Sequence, residues 1–268
     1  MPRRRPLAVV GVASLLVVGA CSVDGTTATD GPDRTGASTA SAGEATVEPA
    51  EADVASGSCV SAYLPIAEGN AWTYELSAPA GTVYTDTVTA LGDEGFTISS
   101  DFDELTKRTE WACTDEGITA LTYGSGPAAS LSVGGLEGSF ETTDVSGVTL
   151  PADLSSGDRW RQTFDISGRF DAGGVQTRVT GSVIYALRAG DVEAVEVPAG
   201  TFDAIAIDTD ITLDLTPSTG GVGIPLTLNL DGVQWFAEGV GLVRSESDGD
   251  FFGASFSSVA ELTSYDVG

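Results

Sequence analysis

The sequence predicts an all-β fold: a curved antiparallel sheet of half-barrel or sandwich-like form, built from two related halves. Three observations predict it. Val83, Thr85, Thr87 and Thr89 alternate with Tyr84, Asp86 and Val88, and Ile205, Ile207, Thr209, Ile211, Leu213 and Leu215 alternate with Ala206, Asp208, Asp210, Thr212 and Asp214. This is the period of two that gives a strand one apolar and one polar face. Breaks punctuate such runs at Gly92-Asp93, Gly134-Gly135, Gly173-Gly174, Gly220-Gly221, Asp231-Gly232 and Asp248-Gly249, so strands near ten residues joined in meanders are expected. No long stretch carries a 3.6-residue period with caps, and 34 glycines weigh against helices.

The chain opens with Arg3-Arg4-Arg5, an apolar run from Leu7 to Val18, and Gly19-Ala20. A positive start, a short apolar core and small residues before a break are the pattern of a secretory signal peptide over residues 1–20. The apolar run is shorter than the roughly 20 residues that a membrane-spanning helix needs. Val18-Gly19-Ala20-Cys21 resembles the lipobox of bacterial lipoproteins, and the resemblance implies cleavage before Cys21 and lipidation of that cysteine. Several acyl chains, at about 0.8 kcal/mol per buried CH₂, would hold the protein on the outer face of the cell membrane.

Residues 21–57 read as a disordered acidic tether, rich in Ala, Thr, Ser, Gly, Asp and Glu and without an aromatic residue. A random coil of that length spans roughly 30–35 Å. The first tyrosine is Tyr63, so the folded β domain is expected over 58–268.

The formal charge is −27, from 12 basic and 39 acidic residues. Loss of the three arginines of the leader brings the mature chain to −30. Such a charge excludes nucleic acid or an anionic lipid surface as the natural partner. The sequence holds no histidine, which removes Ser-His-Asp and Cys-His nucleophile systems and His-ligated metals. No metal or cofactor is expected. With Cys21 assigned to lipid, Cys59 and Cys113 remain, and in an exported protein they are expected to form a disulfide.

The chain echoes itself. Leu64-Pro65 precedes Gly69-Asn70-Ala71-Trp72, and Leu150-Pro151 precedes Gly157-Asp158-Arg159-Trp160. A Trp-x5-Gly-apolar pattern then recurs at Trp111–Gly117-Ile118 and Trp235–Gly241-Leu242. These echoes point to internal repeats over 60–140 and 145–268. Trp72, Trp111, Trp160 and Trp235 are expected to fill the core beneath the turns or, alternatively, to line a ligand pocket.

The same residues carry a family resemblance. Tyr63-Leu-Pro-Ile-Ala-Glu-Gly-Asn-Ala-Trp-Thr-Tyr74 resembles the P-L-x-x-G-N-x-W-x-Y opening of an uncharacterised family of exported bacterial lipoproteins, with Ile66 in place of the leucine. Trp111-Ala-Cys113-Thr-Asp-Glu-Gly117-Ile118, Val197-Pro-Ala-Gly-Thr-Phe202 and Trp235-Phe-Ala-Glu-Gly-Val-Gly-Leu-Val243 are similar to its later W-x-C-x-x-x-G-I/L, V-P-A-G-T-F and W-x-A-x-G-V-G-L-V segments. The resemblance implies an exported antiparallel β fold and brings no catalytic residue with it.

Carboxylates are the only abundant catalytic type. Asp101, Asp103 and Glu104 cluster, as do Glu246, Asp248 and Asp250. Paired acids serve glycosidases or calcium, but neither cluster has the EF-hand spacing, and 39 acids make such clusters common. Lys107-Arg108, the one basic pair of the mature chain, reads as a solvated strand end. The expected function is therefore that of a membrane-anchored, non-enzymatic envelope lipoprotein holding a hydrophobic or lipid ligand, or an envelope partner, on its concave face. The alternatives are a carboxylate-dependent secreted hydrolase and a purely structural or adhesive module.

Overall fold

A computed structural model of the chain describes residues 59, 61–77, 82–102, 106–123, 137–172, 175–251 and 254–268. Cys21, the leader and the tether lie outside them, as do Gly134-Gly135, Gly173-Gly174, Asp103 and Glu104.

The described chain runs through β1 (Ala71–Leu76), β2 (Thr82–Gly92), β3 (Gly95–Phe102), β4 (Thr106–Thr114), β5 (Gly117–Ala120), β6 (Glu137–Gly147), β7 (Leu150–Pro151), β8 (Arg159–Ala172), β9 (Val175–Val197), β10 (Gly200–Thr219), β11 (Val222–Gly223), β12 (Leu226–Ala237), β13 (Gly241–Phe251) and β14 (Ala254–Asp266). All fourteen belong to one curved antiparallel sheet, with the order β6-β8-β9-β10-β12-β13-β14-β1-β2-β3-β4-β5-β7 and β11 beside β10. The C-terminal strand β14 thus joins β13 to the first strand, β1. The fold is all-β as predicted, in the form of a single bent sheet rather than a sandwich of two.

Two strands are far longer than expected: β9 has 23 residues and β10 has 20. Two of the expected breaks, in β12 and β13, are not turns. Asp231-Gly232 and Asp248-Gly249 are strand interior rather than turns, paired in register with Asp210-Thr209 and with Leu230. Neighbouring ladders on both sides hold Gly232 extended, and a Cβ there would stand 2.7 Å from the Glu246 carbonyl oxygen, so glycine lets β13 approach. Along β10 the alternation is realised: Ile205, Ile207, Thr209, Ile211 and Leu213 are buried, while Asp208, Asp210 and Asp214 are exposed.

The backbone ladder does not close on itself, but its two ends are sewn together by side chains. The Gln162 amide donates to the Ala120 carbonyl at 3.3 Å and accepts from the Thr149 hydroxyl at 3.0 Å. The Ala120 N–H donates to the same Thr149 oxygen at 2.8 Å, and the Thr119 hydroxyl to the Gly147 carbonyl at 3.3 Å. The Tyr123 N–H reaches the Thr142 hydroxyl at 2.7 Å. Gly147 sits at φ +79°, and a Cβ there would lie 2.0 Å from the Arg161 carbonyl oxygen, so the seam requires glycine at that position.

The first sequence echo has a structural counterpart. Gly69 (φ +93°) and Gly157 (φ +89°) lead into β1 and β8. Gly69 N–H donates to Val88 O, Asn70 N–H to Ala67 O, and Val88 N–H to Asn70 O; Gly157, Asp158 and Ala189 make the same three bonds with Ala189, Ser155 and Asp158. A register shift accompanies each of these turns, at Val88/Ala90 and opposite Ala189. The second echo has no such counterpart. Trp111 faces the core, paired and stacked with Phe96, with ring centroids 5.6 Å apart. Trp235 pairs with Ala206 and Arg244, on the face opposite Ile205 and Ile207. The Ala237–Gly241 hairpin holds one residue more between its ends than Thr114–Gly117, and one residue flips a strand's faces.

One core packs the inside of the bend. Trp72, Ile118, Val183, Ile205, Ile207, Val243 and Leu262 are each at most 2% exposed. The Trp72 indole N–H donates to Val240 O at 2.6 Å and the Tyr74 hydroxyl to Leu242 O at 3.0 Å, which tie β1 to β13 and the turn before it. Cys59 and Cys113, both buried, are joined by a disulfide with Cα atoms 5.0 Å apart, which pins the start of the domain to β4.

Candidate functional site

The residues singled out from sequence separate in space. Trp72 and Trp111 are buried in the core. Trp160 is half-buried on the core-facing side of β8, and its indole N–H donates to Thr149 O at 3.3 Å beside the seam. Trp235, on the other face, donates to Glu193 at 2.6 Å and lies 5.7 Å from the Arg244 guanidinium. The four rings therefore do not line one pocket.

Of the two acidic clusters, the side chains of Asp101, Glu246 and Asp248 are described. Asp101 is exposed and accepts from the Thr106 hydroxyl at 2.6 Å. Glu246 is ion-paired with Arg244, which also reaches Glu261 at 3.2 Å. Asp248 is exposed. Among the described residues no group of three or more acids or cysteines is placed to hold a metal ion.

The structure brings together a different set. Asp86 on β2 pairs with Ser100 on β3, and Ser100 pairs with Lys107 on β4. The three side chains form one row across three strands, on the face shared by Tyr84, Val88, Ile98, Thr109 and Trp111. The next row is aromatic. Tyr74 stacks on Tyr84 at 5.1 Å, and Tyr84 on Phe102 at 4.9 Å. Tyr74 and Tyr84 are covered, each 3% exposed, whereas Asp86, Ser100, Phe102 and Lys107 are half-buried. The row is thus partly exposed rather than sealed in the interior.

Its electrostatics are perturbed. Burial pushes the Asp86 carboxyl up from 3.8 to about 6; the Ser100 hydroxyl and the Lys107 charge oppose the rise, and Asp101 adds to it. Burial lowers the Lys107 ammonium from its ordinary value, against the pull of Asp86. The Tyr84 phenol is raised by burial and then by Asp86. Asp86 Oδ1 and the Tyr84 hydroxyl are fully buried atoms without a hydrogen-bond partner among the described residues. Buried polar atoms are rarely left so, and unpaired ones beside a perturbed carboxyl single out this row as the candidate site.

Sequence reasoning alone misses this row. The Lys107-Arg108 pair reads as a solvated strand end, yet only Arg108 points outward. The available signal is Asp86 itself, an acid in the apolar column between Tyr84 and Val88.

A separate cleft of about 380 Å³ opens at the β9–β10 and β12–β13 turns, between Tyr63, Phe202, Val240 and Glu238. It holds none of the perturbed groups.

Comparison with known proteins gives a partial match. Residues 138–250, less than half of the chain, match the DUF3108-like family profile. A search of curated proteins finds no match. Among solved structures, the chain is similar to a "putative lipoprotein" from Parabacteroides distasonis (15% identity, TM-score 0.45, 78% of this chain and 99% of that one). It is also similar to a "putative exported protein with YmcC-like fold" from Bacteroides fragilis (14%, 0.47, 77% and 100%) and to the hypothetical lipoprotein YmcC from Escherichia coli (7%, 0.35, 73% and 84%). Likeness at this level assigns no function to the chain.

Proposed function

We propose that the chain is an exported protein of the bacterial envelope, cleaved before Cys21 and anchored by lipid on that cysteine, whose bent sheet binds a ligand or envelope partner without transforming it. The observation that carries the anchor is the run from Arg3-Arg4-Arg5 through the apolar core to Val18-Gly19-Ala20-Cys21. The lack of histidine and the pairing of Glu246 with Arg244 support a non-catalytic role. The core fills the space beneath Trp72 and Trp111, so the candidate place for a ligand is the half-buried row at Asp86.

Expression in a bacterial host with Cys21→Ser as the comparison tests the anchor. The wild-type chain is expected in the detergent-extracted membrane fraction and the variant free in the soluble fraction. Identical fractionation of the two would defeat the proposal. Native mass spectrometry of the protein tests binding: a co-purifying adduct on the wild type, lost in Asp86→Asn, is expected, and equal spectra would count against the site.

A further inference from the structure

We propose that the tip of the β10–β12 connection, at Val222 and Ile224, dips into the bilayer that carries the lipid anchor. The inference rests on the reading of the chain as anchored at Cys21, and it adds a second point of membrane contact. Antiparallel hairpins turn alternately at the two ends of the sheet. At the end where β1 begins, turns carry acids: Asp93-Glu94 between β2 and β3, Asp115-Glu116 between β4 and β5, and Glu238 between β12 and β13. At the other end, the connection from β10 to β12 carries none. From Leu215 to Leu230 the chain has no charged side chain, although Asp214 and Asp231 bound the run and the whole chain holds 39 acids. Val222 and Ile224 are 69% and 68% exposed, the two most exposed large apolar side chains among the described residues.

The tip has a defined backbone. Thr219 pairs with Val222 and Ser218 with Gly223, and Gly220 (φ +61°) and Gly221 (φ +85°) make the two-residue turn between them. The Ile224 N–H donates to Pro217 O at 3.0 Å and continues the ladder past the turn. Backbone groups paired within the hairpin can enter a lipid interface without losing their partners. A small exposed apolar tip without charge gives a protein partner neither a groove nor an ion pair to recognise. A bilayer needs neither, and the anchor holds one at high effective concentration. Residues 21–58 can reach at most about 130 Å. That is about twice the roughly 65 Å length of a strand such as β10, so the anchor lets this end of the sheet meet the membrane. The net charge of −27 repels anionic lipid, so the tip suits a zwitterionic bilayer.

The test uses the full-length chain with Ile224→Cys, purified from bacterial membranes, labelled with an environment-sensitive fluorophore and mixed with phosphatidylcholine vesicles at millimolar lipid. Cys59 and Cys113 are bridged and Cys21 is the proposed lipid site, so position 224 takes the label. The label is expected to shift to the blue and to be quenched by nitroxide-bearing lipid. A label on Asp93→Cys, in an exposed acidic turn at the other end, is expected to stay aqueous. Val222→Asp in the chain labelled at 224, checked for folding by thermal melting, is expected to lower the ratio of inserted to free label about tenfold or more, because a charge replaces an apolar side chain. A label at 224 as aqueous as the one at 93, or one that Val222→Asp leaves fully inserted, overturns the proposal. A shift that needs envelope protein in place of lipid assigns the tip to a protein partner and also overturns it. Flotation of the Val222→Asp/Ile224→Asp chain with the vesicles scores the anchor apart from the tip, and it is expected to float. If it floats while the label at 224 stays aqueous, the anchor stands and the tip falls. If it does not float while the label at 224 inserts, the anchor falls and the tip stands.

Discussion

Replacing Gln162 with leucine tests whether the seam holds the bent sheet together. Gln162 is 3% exposed, and its amide is the piece that touches both ladder ends, donating to Ala120 O and accepting from the Thr149 hydroxyl. Leucine fills nearly the same volume, so little cavity forms and the change isolates the polar contacts. Two neutral hydrogen bonds contribute roughly 0.5–1.5 kcal/mol each, and a buried group left unpaired costs roughly 1–3 kcal/mol. The expected loss is therefore about 2–4 kcal/mol. In urea, with a slope of about 2–3 kcal/mol per molar for a domain of this size, that lowers the unfolding midpoint by about 1 M. A loss below about 0.5 kcal/mol with unchanged slope would mean that the ladder ends hold without the bridge, and the role given to the seam would fall.

Other perturbations have definite expectations. An Asp86 carboxyl moved from 3.8 to about 6 is protonated in folded and unfolded chains alike below about pH 4, and only in the folded chain between about 4 and 6. Stability relative to Asp86→Asn should thus fall by up to about 3 kcal/mol as pH rises through that window, and parallel pH profiles of the two melting curves would contradict the burial of the charge. Gly69→Ala and Gly157→Ala should each cost about 1–2 kcal/mol, from backbone strain alone because a Cβ at either meets nothing within 4 Å, and the double variant should be additive. Unequal effects, measured by chemical denaturation, would break the equivalence of the turns that lead into β1 and β8. Removing the Cys59–Cys113 bridge, which joins residues 54 apart, should cost up to about 4 kcal/mol, and a midpoint unmoved by reductant would contradict a structural role.

Much of the fold is legible in the sequence because its signals are local. The alternation from Ile205 to Leu215 fixes which side of β10 is buried without knowledge of any partner. Glycine at positions 69 and 157 marks a positive-φ turn into a strand in each half. What is not legible depends on pairing. Asp231-Gly232 looks like a turn until two neighbouring strands hold it extended. Trp111 and Trp235 share a spacing to glycine, but the hairpins differ by one residue and place the rings on opposite faces. The Asp86–Ser100–Lys107 row exists only once two hairpins have chosen their registers, one of them with a bulge at Val88/Ala90. The seam at Gln162 joins strands at the two ends of the sheet order, which no local pattern encodes.

The proposed identity as an anchored envelope protein is tested most directly by mass spectrometry of the N-terminal peptide from protein purified out of bacterial membranes. The expected peptide begins at Cys21 and carries acyl mass on that residue. A peptide that retains Gly19-Ala20 ahead of an unmodified Cys21, or one that begins at Cys21 without added mass, would contradict the anchor.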